Sequence, residues 1–230
     1  MVTLSQVKSL VSEGLHLDAL PRAARGAFTR CVSLLFFSSS GWYLAGGTAL
    51  ALQAGHRQSV DLDFFTTEKT FDEKQVAEQI SNEETSWKTT SLSRGTIYGE
   101  FKGAKMSLIA YPFFRPAKPM CRAGTVSLLA LSDIATMKIV AISQRGRKRD
   151  FIDLYWLCLH VQPLLENIRG AQEQYTVRQN PSHLLKSLTY FADAEDDPMP
   201  EIFFKATWAE VKKFFQVETK KIALELLGLT

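Results

Sequence analysis

Residues 45–65, AGGTALALQAGHRQSVDLDFF, constrain the fold more than any other stretch of this 230-residue chain. Two adjacent glycines open a short apolar helix that must stop at Gly55, and an Arg-x-Ser return leads into a strand carrying Asp61 and Asp63. Gly46 and Gly47 let backbone N–H groups approach an anion closely, at the positive end of the helix that follows. Alternate residues of a strand share a face, so Asp61 and Asp63 form a paired-carboxylate platform while Leu62 and Phe64 point to the core. Loading one face with two negative charges over a buried face is costly unless a cation is present. Paired carboxylates with few other donors suit a hard divalent cation, magnesium above all, held together with substrate phosphates. The order strand, Gly-Gly, helix, acidic strand therefore predicts a metal-dependent nucleotide site.

The rest of the chain supplies a frame for that unit. Residues 3–37 read as two helices, the second with apolar spacing at Ala24, Phe28, Cys31 and Leu35. Trp42–Leu44 reads as a short buried strand, and residues 72–82 as a polar helix. Three further strands are expected over 88–93, 96–102 and 105–111, with Lys102-Gly103 as a turn. Pro112, Pro116 and Pro119 mark a seam, after which helices are expected over 126–143, 149–161, 181–193 and 207–228. The expected organisation is an α/β (α+β) core with a mixed sheet over 1–115, and a helical part over 116–230.

At this point the residues carry a resemblance. The Gly-Gly turn followed by Asp-x-Asp resembles the signature of the DNA polymerase β-like nucleotidyltransferase superfamily. The whole stretch is more narrowly similar to AbiEii/AbiGii-type nucleotidyltransferases, whose members include toxins of type IV toxin–antitoxin systems. LSDIATMKIVAISQRGRKRDFIDLYWL, residues 131–157, is similar to that family's downstream motif: a helical lysine, a basic turn and an Arg-Asp-x-x-Asp helix. The resemblance implies a polymerase β-like core and transfer of a nucleoside monophosphate from a nucleoside triphosphate (NTP) to a hydroxyl. It implies Mg2+ or Mn2+ as cofactor, with Asp61 and Asp63 as metal ligands. Gly46, Gly47, Thr48, Arg57 and Ser59 would then hold the nucleotide, and Lys138 would reach its phosphates. Asp150 and Asp153, three residues apart on one helix face, would complete the catalytic set, one of them orienting Lys138 or Arg149 through an ion pair. His56 is read as a structural residue. A cognate antitoxin and a tRNA or other RNA acceptor are the partners that the toxin relatives imply.

One departure stands out. Many superfamily members carry a third carboxylate on a later strand, and the matching position here is Ser107. A serine hydroxyl neither takes a proton at neutral pH as a carboxylate does nor binds a second metal in the same way. Glu100, on the preceding strand, is the candidate substitute.

Charge and cysteine usage narrow the context. The net charge is +3, but Arg115, Lys118, Arg122, Lys138, Arg145, Arg147, Lys148 and Arg149 face only Asp133 across 115–149, while acids gather at 193–197. A basic band of this kind suits a triphosphate or an RNA backbone, or it is a solubilising surface. Three widely spaced cysteines argue against a disulfide framework and a zinc site, and suggest a reducing compartment. No apolar run reaches membrane-spanning length, so a cytoplasmic protein without membrane contact is expected. Two other readings stay open: a nucleotide-binding regulatory protein with little turnover, and a transferase acting on a protein or small-molecule hydroxyl. A glycosyltransferase using Asp-x-Asp leaves the Gly-Gly helix unexplained.

Overall fold

The structure, a computed structural model, describes residues 14–226. The first helix expected within 3–37 falls largely before residue 14, outside the described residues. The chain forms two compact units. One comprises the described residues up to Phe114 together with Pro119–Ala130; the other comprises Arg115–Lys118 and the described residues from Leu131 onward.

The first unit is built on a seven-stranded mixed sheet. Its elements are α1 (Arg22–Cys31), α2 (Phe36–Ser39), β1 (Tyr43–Leu44), α3 (Gly46–Ala54), β2 (Leu62–Thr66), α4 (Glu73–Glu83), β3 (Trp87–Ser93), β4 (Thr96–Phe101), β5 (Ala104–Ala110), β6 (Cys121–Ala123) and β7 (Val126–Leu128). The strand order is β3-β4-β5-β2-β1-β7-β6. β2 pairs antiparallel with β1 and parallel with β5, which places the acidic strand at the centre of the sheet. Strand β2 alternates as its sequence demands: Leu62, Phe64 and Thr66 are buried and Asp63 and Phe65 half-buried, with Phe37 stacked on Phe64 at 4.3 Å between ring centroids. Asp72 caps α4 by accepting the Gln75 N–H at 2.9 Å. Lys102 (φ 52°) and Gly103 (φ 80°) form the turn between β4 and β5.

Residues 121–128 correct the sequence reading. The stretch from 126 was expected to be helical, yet it forms a hairpin with 121–123, and its second strand lies parallel to β1. The reason is tertiary. Gly124 takes φ 56°, and a side-chain carbon there would sit 2.3 Å from the Val32 carbonyl oxygen. The Thr125 N–H donates to that same carbonyl at 2.9 Å. The helix begins only at Leu131.

The second unit is helical: α5 (Leu131–Arg145), α6 (Lys148–His160), α7 (Leu164–Gln174), α8 (Pro181–Leu188), α9 (Ala192–Glu195) and α10 (Trp208–Leu226). Helix α5 packs against α6, α7 and α8. Phe151, Phe191, Trp208 and Phe215 form an aromatic cluster with centroids 5.2–5.8 Å apart. Helix α7 was not anticipated, although Leu164, Ile168 and Ala171 have helical spacing and are buried. The short segment 115–118 is pinned by Asp133, whose Oδ2 accepts the Ala117 and Lys118 N–H groups at 3.0 Å each. Burial pushes the Asp133 carboxyl above its ordinary range.

Candidate active site

The glycine-rich turn does two separate jobs. Gly46 adopts φ 67° at the start of α3, a left-handed conformation that glycine adopts without steric cost. A side-chain carbon at Gly46 would stand 4.0 Å from Asp63 Oδ2, so the carboxylate lies beside the helix N-terminus. The connection is reinforced by the backbone, because the Ala45 N–H donates to the Asp63 carbonyl at 3.1 Å. Gly47 serves packing: a side-chain carbon there would meet Arg57 Nη2 at 2.5 Å and Ser59 Oγ at 3.3 Å. The Arg57 guanidinium thus fits against α3 only because residue 47 lacks a side chain. Arg57 is 4% exposed and donates to the Gln58 carbonyl at 2.7 Å. At the far end the helix stops as expected, with Gly55 at φ 60° and its N–H returning to the Ala51 carbonyl.

Thr48 and Ser59 lie just beneath this turn. The Thr48 hydroxyl is within 2.8 Å of Ser59 Oγ and donates to the Asp61 carbonyl, tying α3 to the residue that precedes β2. Both side chains are buried, as is His56. Here Thr48 and Ser59 lock the return segment in place.

Asp61 and Asp63 are half-buried, and the strand begins one residue after Asp61. Ser107 on β5 stands directly opposite Asp63, with its Oγ donating to Asp63 Oδ1 at 2.6 Å. Tyr98 of β4 is opposite Ser107 in turn, so Asp63, Ser107 and Tyr98 form one row across three strands. Glu100, the candidate substitute for the missing carboxylate, pairs with Lys105. β4 is two strands from β2, which puts the Glu100 backbone about 10 Å away at ordinary strand spacing. Among the described residues no group of three His, Cys, Asp or Glu side chains could hold a metal ion. Oxygen donors numbering two carboxylates fit magnesium nonetheless, because that ion keeps several waters and takes substrate phosphates as ligands.

The second unit holds the other predicted residues, gathered into one ion cluster. Lys138 Nζ lies 2.6 Å from Asp150 Oδ1 and 2.6 Å from Asp153 Oδ2. Arg145 adds a two-pronged contact to Asp150, Nε to Oδ2 at 2.9 Å and Nη2 to Oδ1 at 3.3 Å. Asp150 and Asp153 are fully buried and Lys138 is 4% exposed. Burial opposes the Asp150 charge, but Lys138 and Arg145 outweigh it and hold the carboxyl below its ordinary range. Both aspartates therefore clasp Lys138. Arg145, four residues upstream of Arg149, is the arginine on Asp150, while Arg149 is exposed. The sequence places Arg145 only in the basic band and does not show its pairing with Asp150, because that contact runs from the last turn of α5 to the first turn of α6.

The basic turn is also paired internally. Arg147 contacts Asp197 at 2.5 Å, and the Lys148 ammonium donates to the Glu195 and Asp197 carbonyls at 3.0 and 2.5 Å. The Lys148 ammonium also lies 5.3 Å from the Trp208 ring. Within 193–197 the Asp197 carboxylate is the one that meets the basic turn, while that of Glu195 pairs with Lys212.

The chain is similar to known proteins in sequence and in fold. The sequence matches the family described as nucleotidyl transferase AbiEii toxin, type IV TA system, over residues 34–115 and 109–225. It is 36% identical over 207 residues to an uncharacterised protein of Aquifex aeolicus, covering 88% of this chain and 97% of that one. Among solved structures it is similar to JHP933 of Helicobacter pylori, with a TM-score of 0.52 at 16% identity, over 91% of this chain and 97% of that one. It is also similar to MenT4, a nucleotidyltransferase toxin of Mycobacterium tuberculosis, with a TM-score of 0.51 at 17% identity, over 92% and 89% of the two chains. Among the described residues no helix is long and apolar enough to cross a membrane.

Proposed function

We propose that this chain, which belongs to the AbiEii nucleotidyl transferase toxin family of type IV toxin–antitoxin systems, moves a nucleoside monophosphate from an NTP to a hydroxyl acceptor at the Asp61/Asp63 face. The observation that carries this reading is the placement of Asp63 beside the Gly46 turn at the N-terminus of α3. A divalent cation, Mg2+ or Mn2+, held by Asp61 and Asp63 would supply charge neutralisation for the triphosphate and the departing pyrophosphate. The chain's own groups do the rest. The N–H groups of Gly46, Gly47 and the first turn of α3 receive phosphate oxygens. Arg57 braces that turn from beneath, and Thr48 and Ser59 hold the return segment so that the Asp61 backbone keeps its place. In this reading Lys138 has the phosphate contact that the family resemblance implies, its ammonium held by Asp150 and Asp153. In the transfer the acceptor oxygen bonds to the α-phosphorus, the bond to pyrophosphate breaks, and the acceptor proton passes to solvent or to a carboxylate.

RNA, and tRNA in particular, is the leading acceptor, and a cognate antitoxin is the expected partner. The internal pairing of Arg147 and Lys148 with 195–197 favours a second reading, in which the acceptor hydroxyl belongs to a protein or a small molecule. Incubation with labelled NTPs, Mg2+ and total RNA tests the first directly. Label entering tRNA in the parent but not in Asp61→Asn/Asp63→Asn supports it. Pyrophosphate release without labelled RNA points to another acceptor, and neither release nor labelling across all acceptors overturns the transferase role.

A further inference from the structure

The position at which many superfamily members carry a third carboxylate holds a group with its own use. Ser107 is 4% exposed, faces Asp63 in strand register, and its hydroxyl donates to Asp63 Oδ1 at 2.6 Å. A carboxylate on a half-buried strand can turn about its side-chain torsions, and the terminal torsion of aspartate is broad. A hydrogen bond from the neighbouring strand narrows that freedom. It also fixes which oxygen faces where: Oδ1 goes to Ser107, while Oδ2 lies toward the Gly46 turn. A hydroxyl does this while adding a donor and no charge, whereas a carboxylate at the same register would place a second negative charge against the first.

We infer that Ser107 is a positioning residue for Asp63, holding its carboxylate in the orientation that presents it to a divalent cation at the α3 N-terminus. This rests on the reading of Asp61 and Asp63 as the metal ligands. Hydrogen-bond partners of ligating carboxylates act in this way generally, and removing one typically weakens metal binding about 10-fold or more. The central place of β5 beside β2 makes the contact rigid, because Asp63 and Ser107 are registered by the ladder from Leu62–Met106 to Thr66–Ala110.

The test is a Mn2+ titration without nucleotide, followed by the paramagnetic signal of free Mn2+, on the parent, Ser107→Ala, Ser107→Thr and Asp61→Asn/Asp63→Asn. Ser107→Ala is expected to bind Mn2+ about 10-fold more weakly with an unchanged melting temperature. Ser107→Thr, which keeps the hydroxyl, is expected to return to within about three-fold of the parent, a difference of roughly 0.7 kcal/mol. Ser107→Cys, close in size and with only a weak S–H donor, takes the place of alanine if that variant does not fold. Mn2+ binding in the parent that persists in the double asparagine variant removes the metal reading and the positioning role together. Binding that needs the aspartates but is equal in parent and Ser107→Ala overturns the positioning role alone, as does a folded threonine variant as weak as alanine.

Discussion

Two pairs of aspartates, Asp61 with Asp63 and Asp150 with Asp153, look alike in the sequence and sit in opposite physical settings. Asp150 and Asp153 are fully buried and clasp Lys138 at 2.6 Å each, with Arg145 closing on Asp150. Asp61 and Asp63 are half-buried, and Asp63, beside the Gly46 turn, takes a hydrogen bond from a neutral hydroxyl. Buried charges persist only when paired, so the first pair must be satisfied by the protein's own cations. In the proposed reading, an external cation and its phosphate ligands would bind at the half-buried pair, beside the N-terminus of α3. The spacing of carboxylates announces that charge is concentrated; burial and partner decide what it is for.

The largest expected effect attacks the buried pair. Lys138→Ala removes a cation shared by two buried carboxylates, which should cost roughly 3–5 kcal/mol of stability. In a chain of this size that corresponds to a fall of about 10 °C in melting temperature. Calorimetric melting of parent and variant measures it, and a shift under about 2 °C would make Lys138 a ligand group with little structural role. The pH dependence follows from the same contact. Because the folded Asp150 carboxyl lies below its ordinary value, unfolding in acid takes up a proton there. The stability it provides is present at neutral pH and lost as pH falls through the depressed folded value.

At the half-exposed pair the expected effect is on binding instead of folding. Asp61→Asn/Asp63→Asn should weaken Mg2+-dependent triphosphate binding at least about 100-fold, roughly 2.7 kcal/mol. Stability should stay within about 1 kcal/mol, since no core side chain changes. Isothermal calorimetry with and without Mg2+ reads the first, and melting reads the second. Equal binding in the folded variant would erase the distinction between the two pairs.

Gly47→Ala sharpens the comparison at its structural margin. The added carbon meets the Arg57 guanidinium at 2.5 Å, so the arginine must move. A cost of about 1–3 kcal/mol in stability is expected, as for other overpacked sites, with triphosphate affinity falling alongside. Gly46→Ala has room, the nearest atom being Asp63 Oδ2 at 4.0 Å, and its cost comes from φ 67° alone. Chemical denaturation of the two variants separates clash from backbone strain.

The smallest effect concerns the basic turn. Arg149 is exposed, whereas Arg147 and Lys148 are paired with 195–197. If RNA docks there, Arg149→Gln should reduce the slope of log affinity against log salt by about 0.9. Arg147→Gln should change stability more than that slope. Filter binding of tRNA at several salt concentrations gives both slopes, and identical slopes in parent and Arg149→Gln would remove this turn from the acceptor site.

What the sequence by itself determined was local. The Gly-Gly turn, the stop at Gly55, the alternation of buried and half-buried residues along β2 and the hairpin at Lys102-Gly103 follow from backbone freedom and short-range periodicity, and they sit where expected. Spacing also put Asp150 and Asp153 on one helix face, since helical neighbours at i and i+3 share it, while the packing of α5 on α6 brought Lys138 to both. Tertiary structure decided the rest. Residues 126–128 became a strand because the Gly124 turn docks on Val32 and β1 offers an open partner. Arg145 joined Lys138 on Asp150, where Lys138 or Arg149 was expected, and Asp197 met Arg147 and the Lys148 N–H across nearly fifty residues. Ser107, which in the sequence is only a missing carboxylate, became a donor to Asp63 through strand register. Conformational preferences of a residue are carried by its near neighbours in the chain. The choice of a charge's partner is made by whichever groups the packed fold brings within hydrogen-bonding distance.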